Sequence, residues 1–415
     1  MSLDTDRARM DALTKKKILL LDTGKEWGGG TNSMLELLAG LDRQLYSVVC
    51  CLYQDYRQGA SGPRLSERLL ALGVPFVLIA QVRQPFWAKI SKELVRGVLT
   101  PWPRQRRNVV RRIDYFWRIL PNAERLCELL SKQDVDLLYM NNQASSNLEG
   151  YLAAERLKLP VVQHARIDVQ LTPVEVNTVN RVATRVICNS NGVRFSLIQQ
   201  GVDEGKCVTI YNGFNTKQSV TDDTANVIGR PVIGTIGSLV PRKCIEHLIS
   251  LGARLKIRYP EIVVLIVGEG PHRVEITSFA EKLGMRDSVF FAGFQSQVYP
   301  WLKAMDVFVF PSRQEGFGKV LLEAMFVSVP VLAANVVGPN EVVTDGVTGL
   351  LYPHGDIEAM ERSCCRLLED RLFREAIVSH AKEAIEVRFS MERYVASIEG
   401  VFTEVLMPEG SPCSI

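Results

Sequence analysis

The run Pro311-Ser312-Arg313-Gln314-Glu315-Gly316-Phe317-Gly318-Lys319-Val320-Leu321-Leu322-Glu323 gathers several chemical capacities into a short span. An acid precedes a glycine turn, a helical pattern begins directly after it, and the second acid falls about one and a half turns into that helix. Backbone donors around Gly316, Phe317, Gly318, Lys319 and Val320 would stand at the helix N-terminus. Unpaired N–H groups and the positive end of the helix dipole favour a diphosphate there. The two carboxylates can accept hydrogen bonds from hydroxyl groups, as sugar recognition requires. Glu323 lies in the otherwise apolar stretch 320–327, where a lone carboxylate needs a partner.

Three further features could join that run. Gly237-Ser238-Leu239-Val240-Pro241-Arg242-Lys243 puts two adjacent cations after a strand and ahead of a helix, which suits a diphosphate; a solvated charge pair is the plain alternative. Gly24-Lys25-Glu26-Trp27-Gly28-Gly29-Gly30 follows the first strand, with Thr31, Asn32 or Ser33 as the expected N-cap of the next helix. The bare backbone of Gly28, Gly29 and Gly30 either contacts a phosphate or sugar or simply makes a turn, since the run fits neither G-x-G-x-x-G nor a P-loop. His164 ends the strand Val161-Val162-Gln163, and a lone histidine in that position reads first as structural.

The elements that must position these groups alternate along the whole chain. Strands are expected at Ile18–Leu21, Ser47–Leu52, Val74–Ile79, Asp136–Met140, Pro160–Gln163 and Arg185–Cys188. A second series follows at Val232–Ile236, Ile262–Val267, Val289–Phe291, Val307–Phe310 and Val329–Ala333. Helices are expected from near Asn32 and over about 244–258, 272–284, 318–327 and 356–369. The first carries Met34, Leu35, Leu37, Leu38 and Leu41 on one face. Such alternation predicts an α/β protein of two doubly wound, Rossmann-like domains facing each other across a cleft. The expected organisation is a flexible N-terminus (1–14), a first domain (15–215), a polar linker (216–230), a second domain (231–385), and a C-terminal helix returning to the first domain before a tail (386–415).

Composition limits the function classes. The chain has 415 residues and a net charge of +3, too small to predict a general affinity for nucleic acid. Its nine cysteines form no C-x-x-C pair and read as reduced, mostly buried thiols of a cytoplasmic protein. The apolar run at 18–21 is too short for a secretion signal, and no segment is long enough to span a bilayer. One segment departs from the average: residues 83–118 hold ten Lys or Arg against Glu93 and Asp114, a net +8, which leaves −5 for the rest. Phe86, Trp87, Trp102, Tyr115, Phe116 and Trp117 are interleaved with those charges. Either the segment contacts an anionic membrane surface, or it is a surface helix pair whose aromatics face the core.

Taken together, the two acids seven residues apart with Gly-Phe-Gly after the first resemble the signature of the retaining glycosyltransferases of family four, which have the GT-B fold. Asn212-Gly213-Phe214-Asn215, Gly338-Pro339-Asn340-Glu341-Val342-Val343, Asp345-Gly346-Val347-Thr348-Gly349-Leu350 and Asp356 resemble that family in order and spacing, most sharply over 206–360. The resemblance implies a nucleotide diphosphate sugar, a UDP- or GDP-sugar, held mainly by the second domain. In that reading Glu323 holds the ribose hydroxyls and Glu315 faces the donor sugar. Arg242 and Lys243 neutralise the leaving diphosphate, the Gly28–Gly30 loop covers it, and His164 stands near the reacting sugar. Many relatives carry arginine where this chain has Ser238, so the cation falls to Arg242 beside Lys243. No Asp-x-Asp stands in a suitable loop, and the reading is a metal-independent enzyme without a cofactor. Retention is implied by the resemblance alone; no carboxylate nucleophile is identifiable, so same-face attack by the acceptor is favoured. The implied acceptor is a glycan or lipid-linked glycan of bacterial cell-surface polysaccharide or lipopolysaccharide synthesis, reached from the inner face of the cytoplasmic membrane. The alternatives are a GT-B nucleotide-sugar epimerase, a non-catalytic sugar-nucleotide-binding protein and a dinucleotide-dependent oxidoreductase.

Overall fold

The computed structural model describes residues 15–24, 27–59, 62–82, 85–100, 102–220 and 223–407. The expected flexible N-terminus, Lys25, Glu26, Arg83, Cys413 and the end of the tail lie outside the described residues.

Apolar β-runs with no polar alternation must be covered on both faces, and they are. The first sheet has seven parallel strands: β1 Lys16–Asp22, β2 Tyr46–Leu52, β3 Phe76–Leu78, β4 Leu137–Met140, β5 Val161–Ala165, β6 Arg185–Cys188 and β7 Cys207–Thr209, in the order β3-β2-β1-β4-β5-β6-β7. The second has six: β8 Val232–Ile236, β9 Val263–Val267, β10 Val289–Gly293, β11 Val307–Phe310, β12 Val331–Ala334 and β13 Leu350–Tyr352, in the order β10-β9-β8-β11-β12-β13. Ile18 to Leu21 and Val307 to Phe310 are at most 2% exposed, each side chain stabilising its domain by about 1.5–3 kcal/mol through burial. In both sheets the strand order reverses beside the first strand, between β1 and β4 and between β8 and β11. A ligand crevice opens at such a reversal.

Several boundaries differ from expectation for identifiable reasons. Pro75 and Pro330 cannot donate into a ladder, so β3 and β12 begin after them rather than at Val74 and Val329. The edge strands β7 and β13, three residues each, are too short to show a period. The helix after β1 starts at Gly29 with Gly28 as its N-cap, ahead of the expected Thr31–Ser33. Thr31 Oγ1 instead accepts from the Gly28 N–H at 3.4 Å.

The chain passes between the two cores over a short stretch: Ile210 belongs to the first and Phe214 to the second. The helix Arg371–Arg388 buries Ile377, Ala381 and Ile385 in the second domain. The next helix, Met391–Leu406, buries Tyr394, Val395, Ile398, Val401 and Phe402 in the first. It is fastened there by Tyr46 Oη to Thr403 Oγ1 (3.0 Å) and by the Asp42 N–H donating to Glu399 (2.7 Å).

The basic segment forms two helices, Phe86–Val98 and Pro103–Asp114, followed by a π-helical stretch, Tyr115–Ile119. Its aromatics do not face the core: Phe86 is 78% exposed, Phe116 58% and Trp102 55%. Trp87 meets Trp117 edge-on, with ring centroids 4.4 Å apart, so part of the aromatic surface packs on itself. Among the described residues no helix is long and apolar enough to cross a membrane.

Candidate active site

The loops after β1, β8 and β11 face one another around a cavity of about 1080 Å³ between the two domains. That is room for a nucleotide-sized ligand. The loop after β11 turns at Gly318, whose left-handed φ of 90° starts the helix Lys319–Phe326. The first N–H groups of that helix, at Lys319 and Val320, therefore stand at the cavity wall. Phe317 anchors the turn: its ring is 2% exposed and packs between Tyr211 (centroids 5.9 Å) and Phe389 (5.6 Å). What Phe317 can offer a ligand is thus its backbone.

Glu315 ends the turn beside the two cations. Its Oε1 lies 2.7 Å from an Arg242 Nη and 2.6 Å from Lys243 Nζ. Arg242 and Lys243 form a 3₁₀ turn, Pro241–Lys243, which the Arg313 N–H ties to the β11 loop through the Arg242 carbonyl (3.0 Å). Burial pushes the Lys243 ammonium below its ordinary pKa, and the Glu315 carboxylate opposes that shift. Ser238 lines the same wall without adding a charge.

Glu323 lies one helical turn deeper. Burial raises its pKa, the Lys319 ammonium works against this, and Glu36 adds to it. Lys319 pairs with Glu36 of the first domain, so two carboxylates share one cation at the domain junction. Sequence reasoning had expected a partner for Glu323; Lys319 and Glu36 form its electrostatic setting.

On the first domain, a Cβ placed at Gly28 or Gly29 would meet nothing within 4 Å, and both residues line the cavity. Gly30 is closer packed, with Arg166 Cδ 3.2 Å from its Cβ position. His164 is placed differently from Arg166. It is fully buried, its Nδ1 is 2.6 Å from Tyr139 Oη, its Nε2 has no partner, and it is not part of the cavity wall. Burial, and then the Arg166 charge, push its pKa well down, so the ring is neutral. Two residues later Arg166 reaches the wall, donating from Nε to Asn141 Oδ1 (2.8 Å) and from an Nη to Asn212 Oδ1 (3.2 Å). Its other Nη is buried without a partner.

Arg166 belongs to a polar floor that sequence reasoning missed: Asp22, Asn141, Asn142, Asn189 and Asn212 line the cavity with it. Asp22 accepts from the Gly24 N–H (2.6 Å) and from Asn141 Nδ2 (2.9 Å), fixing the loop after β1 to the loop after β4. The available signal was positional. Each of these residues ends, or closely follows, a parallel strand, where ligand contacts of such sheets gather.

Other contacts hold the domains together. A Cβ on Gly316 would lie 2.0 Å from the Arg166 carbonyl oxygen, so only glycine permits this approach. Glu341 caps a first-domain helix, accepting from the Asn191 and Gly192 N–H groups at 2.7 Å each and from Tyr211 Oη at 2.9 Å. The Gly338–Glu341 motif is therefore a domain clamp here.

Residues 220–384 match the family described as "Glycosyl transferases group 1", and residues 27–218 match "Glycosyltransferase Family 4". The chain is 30% identical over 210 residues to the lipopolysaccharide core biosynthesis glycosyltransferase LpsE of Rhizobium meliloti, covering 50% of this chain and 60% of that one. It is 29% identical over 178 residues to the alpha-D-kanosaminyltransferase of Streptomyces kanamyceticus, covering 42% and 46%. The chain thus spans about half the length of these curated relatives. A crystal structure of Anabaena Alr3699/HepE in complex with UDP and glucose has the same fold, with a TM-score of 0.72 at 23% identity over 94% of this chain and 100% of the other.

Proposed function

The chain belongs to the group 1 glycosyltransferases of family four, and on that premise we propose that it moves a sugar from a nucleotide diphosphate sugar to a glycan or lipid-linked acceptor. The observation that carries this reading is Glu315 held between Arg242 and Lys243 at the mouth of the Lys319–Phe326 helix. A leaving nucleoside diphosphate develops negative charge, and preorganised cations with helix-end amides stabilise it where it appears. Arg242 and Lys243 take the diphosphate with the Gly316–Val320 amides, and Glu323 accepts from the ribose hydroxyls. Glu315 faces the donor sugar. The glycine loop covers the diphosphate, and Arg166 supplies a cation from the opposite wall. His164 acts from behind that wall, through Tyr139 and the floor.

With the two cations supplying the charge, the transfer needs no metal at the diphosphate. Anomeric retention follows from same-face attack, since the carboxylate nearest the donor sugar is already the counter-ion of two cations. Residues 15–215 form the acceptor-side domain and 231–385 the donor domain. The crossing lies ahead of the expected linker 216–230, since Phe214, Ala225 and Val227 pack in the second domain's core, and the helix Met391–Leu406 returns to the first. The LpsE likeness favours an acceptor in lipopolysaccharide or another cell-surface polysaccharide.

The exposed aromatics among the basic residues of 86–118 seat the enzyme on the anionic inner face of the cytoplasmic membrane, each cation near the surface contributing about 1 kcal/mol. Co-sedimentation with anionic vesicles tests this: changing Arg106, Arg107, Arg111 and Arg112 to Glu abolishes binding if the surface is the seat, and equal binding refutes it. A thermal-shift panel of UDP-, GDP- and ADP-sugars tests the donor site, because a ligand of the folded state raises its apparent stability by mass action. A donor that shifts the melt and is consumed only with a glycan acceptor supports transfer. Free epimerised sugar nucleotide without acceptor would instead identify an epimerase.

A further inference from the structure

Behind the turn that carries Arg242 and Lys243, a thiol and two imidazoles converge. Cys244 closes the 3₁₀ turn in the left-handed region, with φ 49° and ψ 45°, and starts the helix Ile245–Leu255. His247 lies one turn into that helix, and His354 comes from the loop after β13. Cys244 Sγ and one nitrogen from each ring all lie within 4.8 Å of one another. The two ring centroids are 5.1 Å apart. His247 Nδ1 is buried without a hydrogen-bond partner, as is the hydroxyl of Tyr352, two residues before His354. None of these three residues lines the donor cavity.

We propose that Cys244, His247 and His354 form a binding site for a zinc-class divalent cation that ties the loop after β13 to the base of the Arg242–Lys243 turn. Thiolate and imidazole are the ligands a borderline-soft ion of this class selects, whereas Mg²⁺ and Ca²⁺ take oxygen. The i, i+3 spacing puts Cys244 and His247 on one face of the chain. Tetrahedral bonds of about 2.3 Å to sulfur and about 2.0 Å to nitrogen set ligand atoms roughly 3.3–3.6 Å apart. The trio therefore needs to close by only about an ångström. The ion would satisfy the buried His247 nitrogen and leave a fourth position for solvent. Sequence reading finds no metal site, because two ligands lie on one side of the domain's sequence and the third lies far along it. The ion's effect on transfer rests on the donor-site reading; its binding does not.

The test titrates the reduced 415-residue chain with Zn²⁺ alone and with Co²⁺ alone. Wild type is compared with Cys244→Ser and with His354→Gln, the latter at an exposed position where folding is safe. The expected result is one ion per chain, a thiolate-to-cobalt absorption band, and a Zn²⁺-dependent rise in Tm, with each variant binding more than about 10-fold more weakly. Equal affinity in wild type and His354→Gln, or cobalt bound without a thiolate band, would overturn the proposal.

Discussion

Changing Glu315 to glutamine removes one charge and almost no volume, which isolates what that charge does. It faces Arg242 at 2.7 Å and Lys243 at 2.6 Å. The side chain of Lys243 is 13% exposed and that of Arg242 34%, so Lys243 suffers most from losing its counter-ion. Removing one member of a fully buried pair costs about 3–5 kcal/mol. The cleft is open to solvent and Arg242 is a third exposed, so screening reduces this to about 2 kcal/mol. For a domain of this size the corresponding fall in Tm is roughly 4–8 °C. A nucleoside diphosphate carries back the charge that Glu315 supplied, so its affinity should rise in the variant while turnover falls about 100-fold or more. Calorimetric titration with UDP and GDP, scanning calorimetry with and without ligand, and steady-state transfer rates measure the three effects. There is also a pH signature. The folded Lys243 already sheds its proton below the ordinary value of 10.5, so the unfolded state binds more protons in that window and stability rises with pH there. Losing Glu315 lowers the folded pKa further and widens the window, so the variant should gain more stability than wild type as pH rises toward 10.5. Wild-type stability together with weaker diphosphate binding would refute the idea that Glu315 is the resting counter-ion of the diphosphate cations.

Glu323→Gln should weaken donor binding at least tenfold, read as a loss of ligand-induced thermal shift. It should also stabilise the empty protein at neutral pH. The folded pKa of Glu323 is raised, so its contribution is fully present below the unfolded value of 4.5 and is lost as pH rises through the folded one. A melt series against pH should therefore lose that slope in the variant. Gly316→Ala puts a methyl group 2.0 Å from the Arg166 carbonyl oxygen. Overpacking of this kind costs about 1–3 kcal/mol, and scattering should report a more open pair of domains with transfer lost. Arg166→Met should leave the fold intact and lower kcat/KM by about 10-fold or more, because the diphosphate then loses the cation at the polar floor; unchanged kcat/KM would remove Arg166 from the site.

What was legible in the sequence is what is contiguous in it. Glu315, the glycine turn and Glu323 share one strand–turn–helix, so their relative placement follows from local geometry. The same holds for Arg242 and Lys243. Long apolar strands announced both sheets, whereas β7 and β13 are too short to do so. The polar floor was invisible because Asp22, Asn141, Arg166, Asn189 and Asn212 come from the ends of different strands, and only the sheet order brings them together. His164 shows the limit of reading by position. His164 lies inside β5, between β4 and β6, and is buried against Tyr139, whereas Arg166 is the first residue beyond that strand and reaches the cavity. The aromatics of 86–118 could not be assigned to inside or outside from spacing, since a helix that faces a core and one that faces a lipid surface carry the same period.

The cleft's own carboxylates account for the stability of its cations. A pocket that must hold a diphosphate needs cations that are desolvated, and desolvated cations destabilise a domain unless something pairs with them. Here each cation that the second domain brings to the cavity has a carboxylate: Glu315 for Arg242 and Lys243, and Glu36 from the opposite domain for Lys319. The second pairing exists only while the domains are together, so it supplies a closing force of the protein's own. On the proposed reading, an arriving diphosphate displaces carboxylate from cation rather than water from bare charge. Part of the Coulomb attraction is thus already realised before binding, which moderates donor affinity, and the freed Glu315 is left beside the sugar where it is needed. On the same reading, a donor grip that is self-neutralised at rest releases its spent nucleotide for the same reason.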